Sequence, residues 1–267
     1  MVTRVVSWAE RTIWWHVFPL GFTGAEKAAL VPGEPVRHRF LGEMIHGDYA
    51  AYASDSGLDS VTQYELWKAV WSSLNDRNFF ELAWALDRHN QVLDGVMPQT
   101  FTGNHDVTRL ASQLTDDRHF GHALAVLLTV GGIPSIYYGD EQAFRGIKEQ
   151  RAGGDDEIRP AFPASPAELV PDGWPVYRLH QRLIGFRRRH PWLVRARTSV
   201  QHLTSEAIAF QAAADDAGIL VLLNAGGTSF RFPVDVAGFA VAETPDPGAR
   251  PADPALVPGH GWVILSS

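Results

Sequence analysis

Residues 97–106 read MPQTFTGNHD, and residues 133–141 read IPSIYYGDE. Each is a short apolar and β-branched run that reaches a glycine and then turns polar. That pattern predicts a buried strand closed by a loop. Between the two, Arg118 to Val130 is rich in Ala and Leu and stops at Gly131-Gly132, which predicts a helix. Strands that alternate with helices are the mark of a parallel α/β sheet.

The same alternation extends outward. TIWWHVF (12–18), closed by Pro19 and Gly21, reads as a strand, and 23–36 as a loop. FLGEMI (40–45) reads as another strand, carrying Glu43. From Tyr49 to Asp94 the apolar residues of YELWKAVWSSL and FFELAWALDRHN recur at three- and four-residue spacing, broken at Asn75-Asp76. The strands of the opening stretch span 97–102 and 133–139. Residues 145–175 are rich in Gly, Pro and Asp and predict a long loop, and 176–190 an amphipathic helix stopped by Pro191. From about 197 the character changes: 207–212, 218–224, 228–233 and 261–265 are β-rich, separated by turns. The reading is therefore an α/β unit over 1–196 and an all-β unit over 197–267, with Tyr177 and Trp192 as candidates for the contact between them.

Composition narrows the function. The chain has 267 residues, a formal charge of −7, and 45% hydrophobic and 20% charged residues, which is globular composition. The acidic balance argues against a nucleic-acid partner. No apolar run approaches the roughly 18 residues of a membrane span. Arg4, Glu10 and Arg11 interrupt the N-terminal apolar stretches, so no signal peptide is read there. Cysteine is absent, which excludes disulfides and thiol catalysis and makes the cytoplasm the default compartment. The aromatic load (9 Trp, 14 Phe, 6 Tyr) is mostly core, with some rings suited to stacking on sugar faces.

The strand ends carry the chemistry. Glu43 with His46 and Asp48, then Asn104, His105 and Asp106, then Asp140 and Glu141 each follow an apolar run. In α/β barrels the C-terminal strand ends hold the active site. Taken alone, Glu43 reads as a solvent-facing glutamate and Asp106 as a helix N-cap. Together they read as two carboxylates over one pocket, the arrangement that acetal hydrolysis requires. His16, His46 and His105 are scattered, and His119-x-x-His122 reads as surface or packing, so no metal is expected. The glycine pairs lack phosphate-loop spacing, and no Gly-x-Ser-x-Gly occurs.

GEMIHGDY (42–49), FTGNHDVTRL (101–110) and GIPSIYYGDEQAF (132–144) together resemble the alpha-amylase family, glycoside hydrolase family 13. WWHVFPLGF (14–22) resembles its first barrel strand, and RAGGDDEIRPAFP (151–163) the loop after its eighth. The resemblance implies a partial (β/α) TIM-type barrel with a C-terminal β-sandwich. It implies Glu43 as general acid/base and Asp106 as the carboxylate that grips the sugar. His105, Asn104, His46 and Arg109 would be substrate-binding. The implied substrate is an oligosaccharide or alpha-glucoside, without cofactor. The chain departs from the family between Phe22 and Glu43. Three βα units need roughly 90 residues, and 20 are present. The nucleophile motif Gly-x-Arg-x-Asp occurs nowhere in the chain, nor does a strand-three motif, and a usual calcium-bearing segment is missing. The expected molecule is therefore an internally shortened family member with impaired catalysis. The alternative is a non-catalytic carbohydrate-binding or interaction remnant. Missing strands leave open barrel edges, which favour self-association.

Overall fold

A computed structural model describes residues 12–16, 40–249 and 251–267. The loop read at 23–36 and residues 17–18 of the first strand lie outside them. Among the described residues, five short strands belong to the α/β unit: β1 (Trp14–His16), β2 (Leu41–Gly42), β3 (Ser60–Val61), β4 (Gln99–Phe101) and β5 (Ile133–Tyr137). β1 pairs with β5, β5 with β4, and β2 with β3, all parallel. A parallel bridge from Thr62 to Gln99 joins the two groups, so the spatial order is β1-β5-β4-β3-β2. The first described strand of this unit thus lies beside its last. That is the seam of a β/α barrel, and the other strands follow one by one as an arc of it.

The second strand is shorter than the 40–45 expected. The Met44 amide donates to Thr62 Oγ1 (2.8 Å), and the Thr62 hydroxyl donates to the Met44 carbonyl (3.2 Å). A side chain therefore replaces the ladder there, and Glu43 leaves the sheet. β3 was not expected at all. Two residues carry no period, and their pairing is a tertiary property.

The helical region 49–94 resolves into α1 (Tyr49–Ser56), α2 (Tyr64–Asp76) and α3 (Phe80–Gly95). α2 buries Leu66, Ala69, Val70 and Leu74, the one-sided spacing of an amphipathic helix. α3 buries Leu82, Ala85, Leu86, His89 and Leu93 at the same spacing. After β4 come the short α4 (Leu110–Gln113) and α5 (Phe120–Thr129). α5 is buried along every residue, as an all-round apolar helix must be. The loop read at 145–175 contains only single 3₁₀ turns before α6 (Trp174–Arg189), which Pro191 follows.

The C-terminal part is antiparallel: β6 (Arg197–Leu203), β7 (Ala207–Ala214), β8 (Ala217–Asn224), β9 (Phe230–Arg231), β10 (Ala240–Glu243), β11 (Leu256–Val257) and β12 (Trp262–Ser266). Five of these form one sheet in the order β10-β12-β8-β7-β6, and β9 pairs with β11. Strand alternation divides its residues between two cores. Ile208, Phe210, Ile219, Val221 and Ile264 join the helical core of α2, α3, α5 and α6. Ala207, Ala209, Leu220, Leu222 and Val263 face Phe232 and Val257 from the small ribbon. The sheet is thus covered on both faces, as in a sandwich, and one core runs through both units. Trp192 packs at its margin, and Tyr177 meets Trp174 edge-on.

Candidate active site

The polar strand ends converge at one end of the arc. Glu43 is exposed just after β2. Tyr64, the first residue of α2, donates its hydroxyl to Glu43 Oε1 (2.8 Å). Asn104, after β4, donates from Nδ2 to the same hydroxyl oxygen (2.7 Å). Burial and the bond to Glu43 both push the Tyr64 phenol upward, so it stays protonated and able to donate. Asn104 Oδ1 accepts from the Asp106 amide (2.8 Å), which turns the chain sharply there. The following helix α4 starts at Leu110 with Arg109 at its cap position, so Asp106 is not a helix cap.

Asp106 sits in a charged cluster. Arg159 Nη2 reaches Asp106 Oδ1 at 2.7 Å and Asp155 Oδ2 at 2.8 Å. Arg159 Nε donates to the His105 carbonyl (2.8 Å), and His105 Nε2 lies 3.2 Å from Asp106 Oδ2. The arginine comes from the long loop, which Tyr137 and Tyr138 hold in place. Their hydroxyls donate to the carbonyls of Ile158 (3.1 Å) and Pro160 (2.7 Å), on either side of Arg159.

Beneath lies a buried layer. Arg109 was expected on the substrate, and the structure corrects that. It is fully buried, with Nη1 on Asp140 Oδ1 at 3.0 Å, and its guanidinium stacks 4.0 Å from the centre of the Tyr137 ring. An arginine placed under apolar rings needs an internal carboxylate, and Asp140 supplies it. Burial raises Asp140 to about 6 and Glu141 to about 7. Gly103 lets this layer close up, since a Cβ there would stand 2.4 Å from Asp140 Oδ2. His46 lies exposed in the bend after Glu43 and does not line the cleft.

That cleft, about 180 Å³, is lined by Glu43, Gln99, Asn104, His105 and Ser135 among others, and among the described residues Glu43 is its one carboxylate. The Ser135 hydroxyl is buried there without a hydrogen-bond partner. Of the residues expected from sequence, Glu43, Asn104 and His105 come together. Asp106 stands beside them, and Arg109 and His46 stand apart. Tyr64 and Arg159 were missed. Tyr64 follows β3, so recognising that strand would have pointed to it as another polar strand end.

Comparison with known proteins agrees with this architecture. The model of the alpha amylase catalytic domain matches residues 31–214. A cyclomaltodextrin glucanotransferase of Bacillus sp. (strain 1-1) is 27% identical over 184 residues, covering 67% of this chain and 24% of the relative. Alpha-amylase 2 of Schizosaccharomyces pombe is 35% identical over 114 residues, 41% of this chain and 20% of that protein. The crystal structure of an alpha-amylase from H. orenii superposes with a TM-score of 0.70 at 20% identity, covering 86% of this chain and 53% of the other. The chain spans about a quarter or less of the two curated relatives and about half of the solved structure. With more than half of its residues matched by the catalytic-domain model and its strands in the order of a β/α barrel, this chain belongs to the alpha-amylase family of glycoside hydrolases.

Proposed function

We propose that the chain binds alpha-glucosidic saccharides at the Glu43 cleft and hydrolyses them far more slowly than a complete family member. The observation that carries this reading is that, among the described residues, Glu43 is the cleft's single carboxylate. Retaining hydrolysis needs a second carboxylate about 5–5.5 Å from the acid, on the other side of the bond, to trap the sugar cation. The chain has no nucleophile motif, and Asp106 is engaged by Arg159 and His105. Glu43 supplies the proton for the leaving oxygen, and the Tyr64 hydroxyl fixes where its carboxyl points. Asn104, His105 and Ser135 offer polar atoms to sugar hydroxyls. Proton transfer alone contributes about 10²–10⁴-fold, small beside the 10⁶-fold or more of ordinary enzymes. The cleft is also smaller than the roughly 300–1,000 Å³ of typical ligand pockets, which favours weak binding.

The test is purified chain against an aryl alpha-glucoside and maltooligosaccharides, with Glu43→Gln alongside. Saccharide binding is expected to be measurable by calorimetry, and turnover at or near background in both proteins. Robust turnover that Glu43→Gln abolishes overturns the proposal and requires another carboxylate. Absence of any saccharide binding overturns it in the other direction, toward an interaction remnant.

A further inference from the structure

Apart from the cleft, the two parts of the chain meet through a further cluster. Asp116 and His119 stand at the entry to α5, and His260 in the turn between β11 and β12. His119 Nε2 and His260 Nδ1 are 3.0 Å apart, and His260 Nδ1 is 3.8 Å from Asp116 Oδ2. One ligand atom from each residue lies within 4.8 Å of the other two. We propose that these three side chains bind one transition-metal ion of the zinc class and that the ion staples the C-terminal sheet to α5.

The spacing suits such an ion. Ligand atoms at about 2.0–2.1 Å from a tetrahedral zinc stand roughly 3.3 Å from one another. The observed separations need only side-chain adjustments of about an ångström. The donor set also selects the metal. Two imidazole nitrogens and one carboxylate oxygen suit zinc, nickel, copper or cobalt, whereas calcium and magnesium take sets of oxygen ligands. Three protein ligands leave a fourth position for water. His260 also lines a cavity of about 530 Å³ that gives access from outside.

The ligands are held before any ion arrives. The Asn224 side-chain amide donates to the carbonyls of Thr228 (2.8 Å) and Pro258 (3.0 Å), bracing the turn before His260. The His260 amide donates to the Gly226 carbonyl (2.9 Å), and His260 itself holds φ +55°, a conformation uncommon outside glycine. The Asp116 carboxylate is held by Arg118: Oδ1 accepts from its backbone amide (3.0 Å) and Nε (2.9 Å), and Oδ2 from Nη2 (2.7 Å), with Nε also 3.2 Å from Oδ2. A cation at Oδ2 takes the place of the longer Nε contact, while Nε keeps its bond to Oδ1. Without an ion, one imidazole donates its N–H to the other.

The test uses tag-free full-length chain, stripped with chelator and titrated with zinc. One zinc per chain is expected, with a rise of a few degrees in unfolding temperature and no comparable effect of calcium. Cobalt substituted for zinc should give the visible absorption of a tetrahedral site. His260→Gln and Asp116→Asn change partly exposed side chains and should each weaken zinc binding at least tenfold, without lowering the zinc-free unfolding temperature appreciably. Absence of zinc binding, binding unchanged in both variants, or an equal response to calcium overturns the proposal. Saccharide binding at the Glu43 cleft should be unaffected throughout.

Discussion

Glu141 and Asp140 are buried carboxyls directly beneath the cleft, 4% exposed each, and only Asp140 has a cationic partner in Arg109. Burial raises Glu141 from 4.5 to about 7 and Asp140 from 3.8 to about 6. The sign follows directly. Below about pH 4.5, Glu141 is protonated whether the chain is folded or not. Between there and neutrality the unfolded chain releases the proton while the folded chain keeps it. Stability contributed by the neutral acid is therefore lost as pH rises through this window. Glu141 alone accounts for about 3 kcal/mol, at about 1.4 kcal/mol per unit. Glu141→Gln keeps an oxygen to accept from the Gly139 amide, a bond of 2.8 Å in the parent. We expect it to unfold at higher urea than the parent near pH 8, by about 3 kcal/mol, and to match it near pH 4.5. Asp140→Asn should show no such gain, because it strands the Arg109 charge. A Glu141→Gln chain whose urea midpoint shows no gain over the parent as pH rises from about 4.5 to 8 would refute this account, a comparison that cancels the opposite trend from the buried His89, His122 and His180, whose pKa values burial lowers.

At the scale of elements, distant side chains hold the end of α5, and His89 of α3 stands 3.1 Å from the Gly131 carbonyl. A helix leaves its last carbonyls unpaired, and those after α5 are buried. Arg187 of α6 donates from Nη1 to the Val130 carbonyl (2.6 Å) and from Nη2 to that of Gly132 (2.7 Å), with Leu128 at 3.4 Å. Burial lowers Arg187 to about 9, so it is still charged near neutrality. It stands where a cation suits the negative end of the helix dipole. Arg187→Met fills similar space but leaves these carbonyls without a donor, and should cost about 3 kcal/mol in urea unfolding. A loss under about 1 kcal/mol would mean that water reaches them.

This scale also shows why the sequence was legible in parts. α2, α3 and α6 carry a helical period, and β4, β5, β7 and β8 are compact apolar runs, so each was readable. β6 reads RTSVQHL and is largely exposed, so alternation gave no signal there. β3 and β11 have two residues each, and only their partners define them. At the cleft, Glu43, Asn104 and His105 could be read because each ends a recognisable run. Arg109 could not, because a charged residue in sequence gives no sign that an aspartate 31 positions away awaits it in the core. His260 likewise gained meaning only when folding set it against His119, 141 positions earlier.

At the scale of the molecule, the arc of parallel strands has two ends. Among the described residues β1 pairs only with β5, and β2 only with β3. A closed barrel has no such edges. At the β2 edge, Phe40 is 61% and Ile45 64% exposed, and Leu41 also reaches solvent. β2 itself is only Leu41–Gly42, and Phe40 and Ile45 flank it, so apolar area stands beside this edge for another chain to cover. We propose that a second copy of the chain is that partner, meeting this edge with its own. Each side chain fully removed from water contributes about 1.5–3 kcal/mol, and docking itself costs about 4 kcal/mol or more, so a contact through these side chains supports weak association, seen at high protein concentration. The net charge of −7 opposes it at low salt, so association should strengthen as salt screens the repulsion. Light scattering across a concentration series should show mass rising from one chain toward two, more so at high salt. Ile45→Lys should return the chain to monomer without lowering its unfolding temperature, because that side chain is mostly in water. A monomer at every concentration and salt would mean that the edge is covered from within the same chain.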